Sequence, residues 1–423
     1  MWKIHGKQYN LELFMDKHPG GRKILEIAKN QPDLTPAFES YHALCDRDKI
    51  NAIMKKYEVG SCEKSLYTFE EKGFYKTLVK EVRKTWNRQN SKWCFGWLFN
   101  SMMTFGFFIY TYLLTFWYTD TNFFIRLASS VTAGTLLIQS SFQIYHDATH
   151  YALLTNSVAN QTISKFFAGL LLWDWAVWLQ HHSLRHHSYT GHKMLDPDVY
   201  NKKDHSYVVL ISKKITNWYF LPILIMIYSP GIYLGQVLSY MKGLLKRKLW
   251  NMDIICQKTM LEYLIITFHI FMMIHGKSWL LFFSFVISMN INYCIAVLPD
   301  HDTMETLENS KKKCSDWGES QVLHSANFSN KNMVYTRLYG GINYQIEHHL
   351  FPTVCSYHLP KLKKLVVKTC KEFGINYVEI PTILGAYQSA LDNLFIPQKE
   401  VPKLPPKASF AAKGSLYPIC DST

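Results

Sequence analysis

The chain has 423 residues, of which 48% are hydrophobic and 15% aromatic, and its formal net charge is +14. This length leaves room for two or three domains, and the aromatic content with long apolar runs argues against a single water-soluble core. The positive charge could indicate nucleic-acid binding, but the basic residues flank apolar runs. Anionic lipid headgroups are therefore the expected partner, and nucleic acid is not.

The start of the chain carries a pair of histidines. His18 opens the sequence His18-Pro-Gly-Gly, and His42 follows directly after Tyr41. Two histidines on opposing helices can ligate a haem iron from both faces, which suits electron transfer and leaves no position for oxygen. With the ending Tyr57-Glu-Val-Gly60, this segment resembles a cytochrome b5 domain that is short at its front. The resemblance implies a small α+β domain over residues 1–62 that binds haem b through His18 and His42.

Four apolar runs are each long enough to form a membrane-spanning helix. A hydrocarbon layer of ~30 Å needs about 20 helical residues at about 1.5 Å each. The runs cover residues 95–118, 123–145, 254–274 and 278–297. Short links within each pair predict two hairpins. Residues 63–94, which precede the first run, are expected to form a tether and a lead-in helix.

Basic residues predict the orientation of these hairpins. Lysine and arginine crowd residues 72–92, 242–258 and 311–313, whereas the hairpin tips hold only Lys277. By the positive-inside rule the tips face away from the cytosol. No cleavable signal sequence precedes the haem-like segment. The amino terminus is therefore expected in the cytosol, on the same side of the membrane as the histidine clusters.

Three other features complete the organisation. Residues 164–178 and 219–240 are apolar but short or interrupted by proline, so both are expected to be interfacial helices. Residues 386–423 are rich in proline and lack apolar periodicity, which predicts a flexible tail. The nine cysteines have no CxxC spacing, so no disulfide framework is expected.

Histidine clusters follow the predicted first hairpin. They read His146-Asp-Ala-Thr-His150, His182-Ser-Leu-Arg-His186-His187 and Gln345-Ile-Glu-His348-His349. Neutral imidazole is a common ligand of iron and zinc, and two residues at i and i+4 share one face of an α-helix. The pair at 146 and 150 and the pair at 182 and 186 are therefore each expected to hold one ion. The histidine at 187 could reach a second ion, and the whole set can serve two metals.

The order of these motifs resembles one family of membrane enzymes. A cytochrome b5-like segment, then HxxxH, HxxxHH and QxxHH boxes, with four apolar spans in two pairs, is similar to the front-end fatty acyl desaturases. The similarity runs over about residues 2–377 and includes Asp147, Tyr189-Thr190, 196–198 and 345–352. It implies an all-α membrane domain over 95–385 with four transmembrane helices and a cytosolic helical metal-binding cap. It also implies two non-haem irons and removal of two hydrogens from an acyl chain.

The resemblance also implies a set of metal ligands. They would be His146, His150, His182, His186, His187, His301, Gln345, His348 and His349. His181 adjoins His182 and is an alternative ligand, although the spacing to His186 favours His182. Val297 stands where related desaturases often have asparagine, so a water-mediated ligand would be missing or supplied differently. Ordinary hydrogen-bonded roles are expected for His192, His269, His324 and His358.

The implied reaction explains the choice of cofactors. An unactivated methylene has no acidic proton and no electrophilic centre, so O2 activated at iron must attack it. The implied electron source is an NADH-dependent cytochrome b5 reductase that feeds the haem, because the chain has no GxGxxG loop. The implied location is the endoplasmic reticulum membrane. The box details favour delta-5 or delta-4 placement of the new double bond; delta-6 and delta-8 stay open, as do acyl-CoA and phospholipid substrates.

Two other classes of function stay open at this point. A sphingolipid desaturase or a fatty-acyl hydroxylase would use a similar iron pair, although such hydroxylases carry different histidine spacings. A non-enzymatic, membrane-anchored haem electron carrier would retain the histidines without loaded iron. Iron content separates the classes, because about three irons per haem indicate the enzyme and about one indicates the carrier.

Overall fold

The amino-terminal region contains a small sheet and four short helices. The computed structural model describes residues 1–29, 31–93, 95–192, 195–200, 248–249, 254–255 and 259–395. Strands Trp2–Ile4, Lys7–Tyr9 and Glu58–Ser61 form an antiparallel sheet in that order. His5 and Gly6 have positive φ values of 53° and 69°, as a tight hairpin between twisted strands requires. Helices Glu12–Lys17, Arg22–Ala28, Thr35–Tyr41 and Arg47–Lys55 lie between the second and third strands.

The segment that follows is packed against the rest of the protein. Its helix, Phe74–Arg83, buries Phe74, Tyr75 and Leu78 in a core that also contains Trp317 and Phe351. The backbone N–H of Thr68 donates to the Ser315 carbonyl oxygen at 2.7 Å. The expected lead-in helix is present, but the stretch before it is held in place and is not a free tether.

The apolar helices differ from the predicted runs in their bounds and in one internal turn. They cover Phe95–Phe116, Phe123–Thr149, Met260–His275 and Trp279–Val297. Within the described residues, Phe123–Thr149 and Trp279–Val297 are long and apolar enough to cross a membrane. The predicted run 254–274 begins too early, because Thr259 and Glu262 form a capping box that starts the helix at Met260. The helix Phe123–Thr149 contains a π-helical turn at Ile138–Phe142, which the sequence pattern did not predict.

Small residues let these helices approach closely. Helix Phe123–Thr149 packs against both Phe95–Phe116 and Trp279–Val297. A Cβ atom at Gly134 would lie 2.8 Å from the Met289 backbone nitrogen. Glycine is therefore required where these two backbones meet, as is common between helices in membranes. Gly169, in helix Ser157–Leu170, instead makes room for the Ile265 side chain, whose Cβ would lie 2.9 Å from a Cβ at this position.

The remaining elements are short helices over one end of the apolar helices. They are Ser157–Leu170, Trp175–Trp178, Leu179–His186 (π), His187–Tyr189, Pro197–Tyr200, Met304–Asn309, Trp317–Leu323, Met333–Leu338, Gln345–Leu350, Ser356–His358 (3-10), Leu359–Phe373 and Ile383–Phe395. Strands Asn327–Phe328 and Glu379–Ile380 pair in parallel, and Lys248–Leu249 pairs with Ile254–Ile255. The fold is thus a small α+β domain followed by a mostly helical one.

Two further expectations need correction. The stretch 164–178 is not one helix, because Asp174 leaves the helical conformation and its side chain caps the next helix by accepting from the Val177 N–H at 3.0 Å. The expected tail from 386 begins inside helix Ile383–Phe395, so its first ten residues are helical. The predicted interfacial helix 219–240 and the tail after 395 lie outside the described residues.

Candidate metal centre

The three histidine boxes and His301 converge at one end of the apolar helices. The first box ends helix Phe123–Thr149, and the second lies on the π-helical segment Leu179–His186 and just after it. His301 follows helix Trp279–Val297, and the third box forms helix Gln345–Leu350. Four segments that are distant in sequence therefore meet in one buried region.

Five histidines form one compact group, called here the five-histidine cluster. Its members are His146, His150, His182, His187 and His348, all buried, with one ligand atom of each lying within 4.8 Å of the others. The Nε2 atom of His182 lies 3.0 Å from that of His146 and 3.2 Å from that of His187. The Nε2 atom of His348 lies 3.1 Å from that of His187. Ligands with metal–nitrogen bonds of about 2.1 Å at right angles are about 3 Å apart, so these spacings fit a shared ion.

The second box divides between two groups, and its predicted pairing was wrong. His182 joins the five-histidine cluster together with His187, whereas His186 faces His301 and His349. The rings of His182 and His186 still lie on one side of the segment, stacked with centroids 5.5 Å apart, but Nε2 of His186 faces Nε2 of His301 at 3.2 Å. The segment Leu179–His186 is a π-helix, whose wider turn also brings His187 beside His182, with their Nε2 atoms 3.2 Å apart.

The second group, called here the three-histidine cluster, contains His186, His301 and His349. The Nε2 atoms of His186 and His301 are 3.2 Å apart. The Gln345 amide nitrogen lies 2.9 Å from the Nε2 atom of His301 and 3.2 Å from that of His349. The buried Gln345 Oε1 has no hydrogen-bond partner. Turning the amide by half a rotation presents this oxygen to the cluster, as a metal ligand requires.

The outer nitrogens of several cluster histidines meet hydrogen-bond acceptors. Nδ1 of His186 lies 3.1 Å from both Asp196 Oδ1 and Asp198 Oδ2. Nδ1 of His301 lies 2.9 Å from the His324 carbonyl oxygen, and Nδ1 of His349 lies 2.9 Å from Gln321 Oε1. These acceptors hold the ring proton on Nδ1, which leaves the Nε2 lone pair facing the cluster. The donor set therefore fits two metal ions.

Burial keeps these imidazoles neutral. It lowers the pKa of His182, His187, His348 and His349 well below 6.5, and neighbouring histidines lower it further. The neutral ring is the form that ligates a metal. The buried Nε2 of His150 has no hydrogen-bond partner. An ion in the five-histidine cluster would instead bind the lone pair of this nitrogen.

The other predicted histidines occupy ordinary positions. Nε2 of His181 lies 2.7 Å from Asp198 Oδ1, outside both clusters, so the structure favours His182 over His181. His269 accepts from the Tyr112 hydroxyl at 2.7 Å across a helix interface, as expected. Val297 packs against the apolar core and offers no ligand atom.

The residues that hydrogen-bond to the outer nitrogens of the ligands were not predicted from the sequence. The motif 196–198 was recognised without a function, and neither Gln321 nor the contact of Tyr41 with His150 was expected. Asp147, inside the first box, faces away from the metals and accepts from Trp93 Nε1 at 2.8 Å and from Ser356 Oγ at 2.7 Å. Only the presence of a carboxylate or amide near a box could have suggested such roles.

The amino-terminal histidines face each other as haem ligation requires. The ring centroids of His18 and His42 are 6.3 Å apart, which two iron–nitrogen bonds of about 2 Å plus the two ring radii span. Burial, with the nearby His42, lowers the pKa of His18 to about 4, and burial also lowers the pKa of His42. His42 Nδ1 donates to the Phe38 carbonyl oxygen at 2.8 Å, so its Nε2 is free for iron. A Cβ at Gly20 would lie 2.7 Å from His18 Cε1, so glycine is needed beside this ring.

Comparison with known proteins identifies the family. The profile described as fatty acid desaturase matches residues 121–381, which is more than half of the chain. The chain belongs to the fatty acid desaturase family. In this desaturase, residues 1–63 also match the cytochrome b5-like haem/steroid binding domain.

Curated relatives agree with this assignment over most of the chain. "Probable Delta(5) fatty acid desaturase C" of Dictyostelium discoideum is 24% identical, covering 93% of this chain and 90% of its own. "Acyl-lipid (8-3)-desaturase" of Mortierella alpina is 25% identical, covering 92% of each chain. "sn-1 linoleoyl-lipid 6-desaturase" of Synechocystis sp. is 24% identical, covering 63% of this chain and 78% of its own.

Family membership settles the class of chemistry. The protein is an oxidoreductase, a fatty acid desaturase with a haem-binding domain and a di-iron centre. The eight clustered histidines and the histidine pair at the amino terminus fit these cofactors. Desaturases of this family are membrane proteins, in line with the two long apolar helices.

Proposed function

We propose that this desaturase is a front-end enzyme that introduces a cis double bond into a polyunsaturated acyl chain, on the carboxyl side of an existing double bond. Delta-5 placement is favoured over delta-4, since relatives that match nearly the whole chain carry names of the delta-5 and (8-3) type. Delta-8 has no supporting relative among those described. The second candidate is delta-6, because the Synechocystis relative is named a 6-desaturase.

The observation that carries this proposal is the pair of adjacent clusters beneath a docked haem domain. The rings of His187 and His349, one from each cluster, stack with centroids 4.1 Å apart and planes at 10°. Two metal positions side by side suit the activation of O2, which needs more than one electron. The ligand set assigned here is His146, His150, His182, His187 and His348 for one iron, with His186, His301, His349 and Gln345 for the other.

The chain's own residues would bind the acyl chain and exclude water. A small cavity of about 10 Å³ lies beside His146 and His348, and its lining includes Phe142, Ile342 and Gln143. This volume is about that of one water molecule, so an acyl chain would enter here only after neighbouring side chains move. The irons, when bound, supply the O2-derived oxidant that removes hydrogen from the chain. The histidines keep the irons in place without themselves exchanging protons.

The proposed domain arrangement has a haem domain at 1–62, a linker with its lead-in helix at 63–94, and a desaturase domain from 95 to the end of helix Ile383–Phe395, with the predicted tail shortened to the residues after it. Electrons would enter from NADH through a cytochrome b5 reductase and pass through the haem. The substrate would be an acyl-CoA or a phospholipid. The covalent joining of haem domain and desaturase raises the local concentration of the electron donor.

The proposed topology has four spans in the endoplasmic reticulum membrane, with the haem domain and both clusters in the cytosol. All four apolar helices expose large apolar side chains, such as Phe107, Phe124, Phe268 and Phe283. Exposed apolar surface on this scale fits a lipid environment. Glycosylation mapping in microsomes tests the orientation, because an acceptor site near Asp120 should be modified. Modification near Lys311 instead would contradict it.

The reaction is tested by expression in yeast that is fed candidate polyunsaturated acids, followed by mass spectrometry of the fatty acids. A product with one added double bond at carbon 5 supports the proposal, and one at carbon 6 supports the second candidate. A hydroxylated product with no new double bond would identify a hydroxylase. A new double bond in the sphingoid base alone would identify a sphingolipid desaturase. A protein with both histidine clusters replaced by alanine is the control for endogenous yeast enzymes.

Iron analysis tests the cofactor assignment independently. The purified protein should contain about three irons per haem, two of them outside the haem. About one iron per haem would favour the haem carrier over the desaturase.

A further inference from the structure

Tyr41 joins the haem domain to the five-histidine cluster. It ends helix Thr35–Tyr41 and is bonded directly to His42, one of the two haem-facing histidines. Its hydroxyl lies 2.7 Å from Nδ1 of His150. The residue next to one haem ligand therefore contacts a ligand of the candidate iron site.

The contact belongs to a wider docking interface. The Tyr189 hydroxyl donates to the Asp33 carbonyl oxygen at 3.0 Å, and Arg185 Nε donates to Gln31 Oε1 at 3.1 Å. Gln161 Nε2 donates to the Gly20 carbonyl oxygen at 2.9 Å. The first two bonds hold the haem domain against the segment that carries the second histidine box, and the third holds it against helix Ser157–Leu170. The distance between the two metal sites is thus set by packing and not by a loose linker.

The chemistry of the His150 ring sets the direction of this hydrogen bond. His150 can bind iron through Nε2 only if the ring proton is on Nδ1. His150 Nδ1 then donates and the Tyr41 oxygen accepts. An acceptor behind a metal-bound imidazole orients the ring and raises its basicity. A phenylalanine at position 41 would keep the aromatic ring but lose the acceptor.

We propose that Tyr41 is a positioning residue that carries the electron route from the haem to the five-histidine iron site. The proposal rests on the proposed function. The route runs along the chain from His42 to Tyr41 and then across one hydrogen bond to His150. An electron tunnels more efficiently along covalent and hydrogen bonds than across a van der Waals gap of the same length.

The transfer is balanced as a one-electron step. The haem iron is oxidised from ferrous to ferric, and one non-haem iron is reduced from ferric to ferrous. No bond forms or breaks, and the proton between His150 and Tyr41 stays on Nδ1. The reductant is NADH, through the reductase that restores the ferrous haem.

The experiment compares Tyr41→Phe with Tyr189→Phe in the full-length holoenzyme. The second variant is a matched control, because it removes a hydroxyl from the same interface that bonds a backbone oxygen and no cluster histidine. The haem is reduced anaerobically by NADH and the reductase. The protein is then mixed with O2 and acyl substrate, and haem reoxidation is followed by its absorbance. Non-haem iron content and product yield after direct reduction of the irons with dithionite are measured in parallel.

Tyr41→Phe should slow haem reoxidation by about tenfold or more per bound non-haem iron, within the range that outer contacts of metal ligands influence. The dithionite-driven yield per bound iron should stay at the wild-type value, and Tyr189→Phe should reoxidise like the wild type. Unchanged reoxidation per bound iron in Tyr41→Phe would overturn the proposal. So would an equal loss of dithionite-driven product per bound iron, since Tyr41 would then only support the ligand.

Haem reoxidation in the wild-type protein distinguishes failure of the proposal for Tyr41 from failure of the proposed function. If its haem is not reoxidised faster with O2 and substrate than with O2 alone, the haem does not feed the desaturase at all. In that case the proposed function fails before any role of Tyr41 is measured.

Discussion

The two metal-binding regions of this protein are built in opposite ways. The haem pocket takes His18 and His42 from one small domain, in which each histidine directly follows a short helix. The iron clusters take their histidines from four segments between residues 146 and 349. A site built from local segments depends on a few short contacts, whereas a site built from distant segments exists only when the whole helical domain is closed. The two sites should therefore fail separately, and four predictions test that independence.

The largest effect is expected from His182→Ala. It removes an imidazole whose Nε2 lies about 3 Å from those of two neighbours, so the five-histidine cluster should lose its iron and turnover should fall to background. Haem absorbance should stay normal. His181→Ala is the matched control, because His181 contacts Asp198 instead of the cluster. Equal loss of iron in both variants would refute the assignment of His182.

A similar loss of NADH-driven turnover, by a different cause, is expected from His42→Ala. The haem loses one axial ligand, so its absorbance should disappear while two non-haem irons remain bound. Direct reduction with dithionite should still give product in a single turnover. Loss of non-haem iron in this variant would show that the two regions are not independent.

A smaller effect, on iron affinity of the three-histidine cluster, is expected from Asp196→Asn. The Asp196 carboxylate lies behind His186 Nδ1 at 3.1 Å, and loss of such a partner lowers metal affinity by about 10- to 100-fold. Competition with an iron chelator measures this change. Asp147→Asn is the matched control, because that buried carboxylate bonds Trp93 and Ser356 and lies 4.0 Å from the nearest imidazole nitrogen. Iron release should be accelerated only in Asp196→Asn.

The smallest effect concerns acid stability of the haem domain. Burial raises the pKa of Glu39, but the hydrogen bond with His5 and the charges of Arg47 and Lys76 outweigh it and lower the pKa from 4.5 to about 2. The folded-state pKa lies below the unfolded value, so the stabilisation is present above pH 4.5 and is lost as the pH falls toward 2. It amounts to roughly 3 kcal/mol.

Haem retention measured against pH tests this prediction. The wild type should lose haem progressively below pH 4.5, and Glu39→Gln should be less stable at neutral pH with a weaker dependence on acid. An unchanged acid profile in Glu39→Gln would assign the acid sensitivity to other groups. The non-haem iron content at neutral pH should be the same in Glu39→Gln and in the wild type, because Glu39 lies in the haem domain.

The sequence by itself determined the chemistry of this protein. Imidazole is the ligand whatever the fold, so the histidine boxes, the amino-terminal pair and Gln345 could be recognised from residue type and spacing. The apolar helices could be recognised too, because long unbroken apolar runs mark them in the sequence, and two of them, Phe123–Thr149 and Trp279–Val297, are long enough to cross a membrane. The division of the second box could not be predicted, because an α-helical spacing argument does not anticipate the π-helical turn that brings His187 beside His182.

Only the tertiary structure decided which residues support those ligands. Asp196, Gln321 and Tyr41 act through single hydrogen bonds to imidazole nitrogens, and a single contact between distant residues leaves no periodic pattern in the sequence. The close docking of the haem domain has the same origin, because it depends on shape and burial across an interface. The ability of a residue type to bind metal can therefore be predicted from the sequence. A hydrogen bond between two distant residues can be identified only in the folded structure.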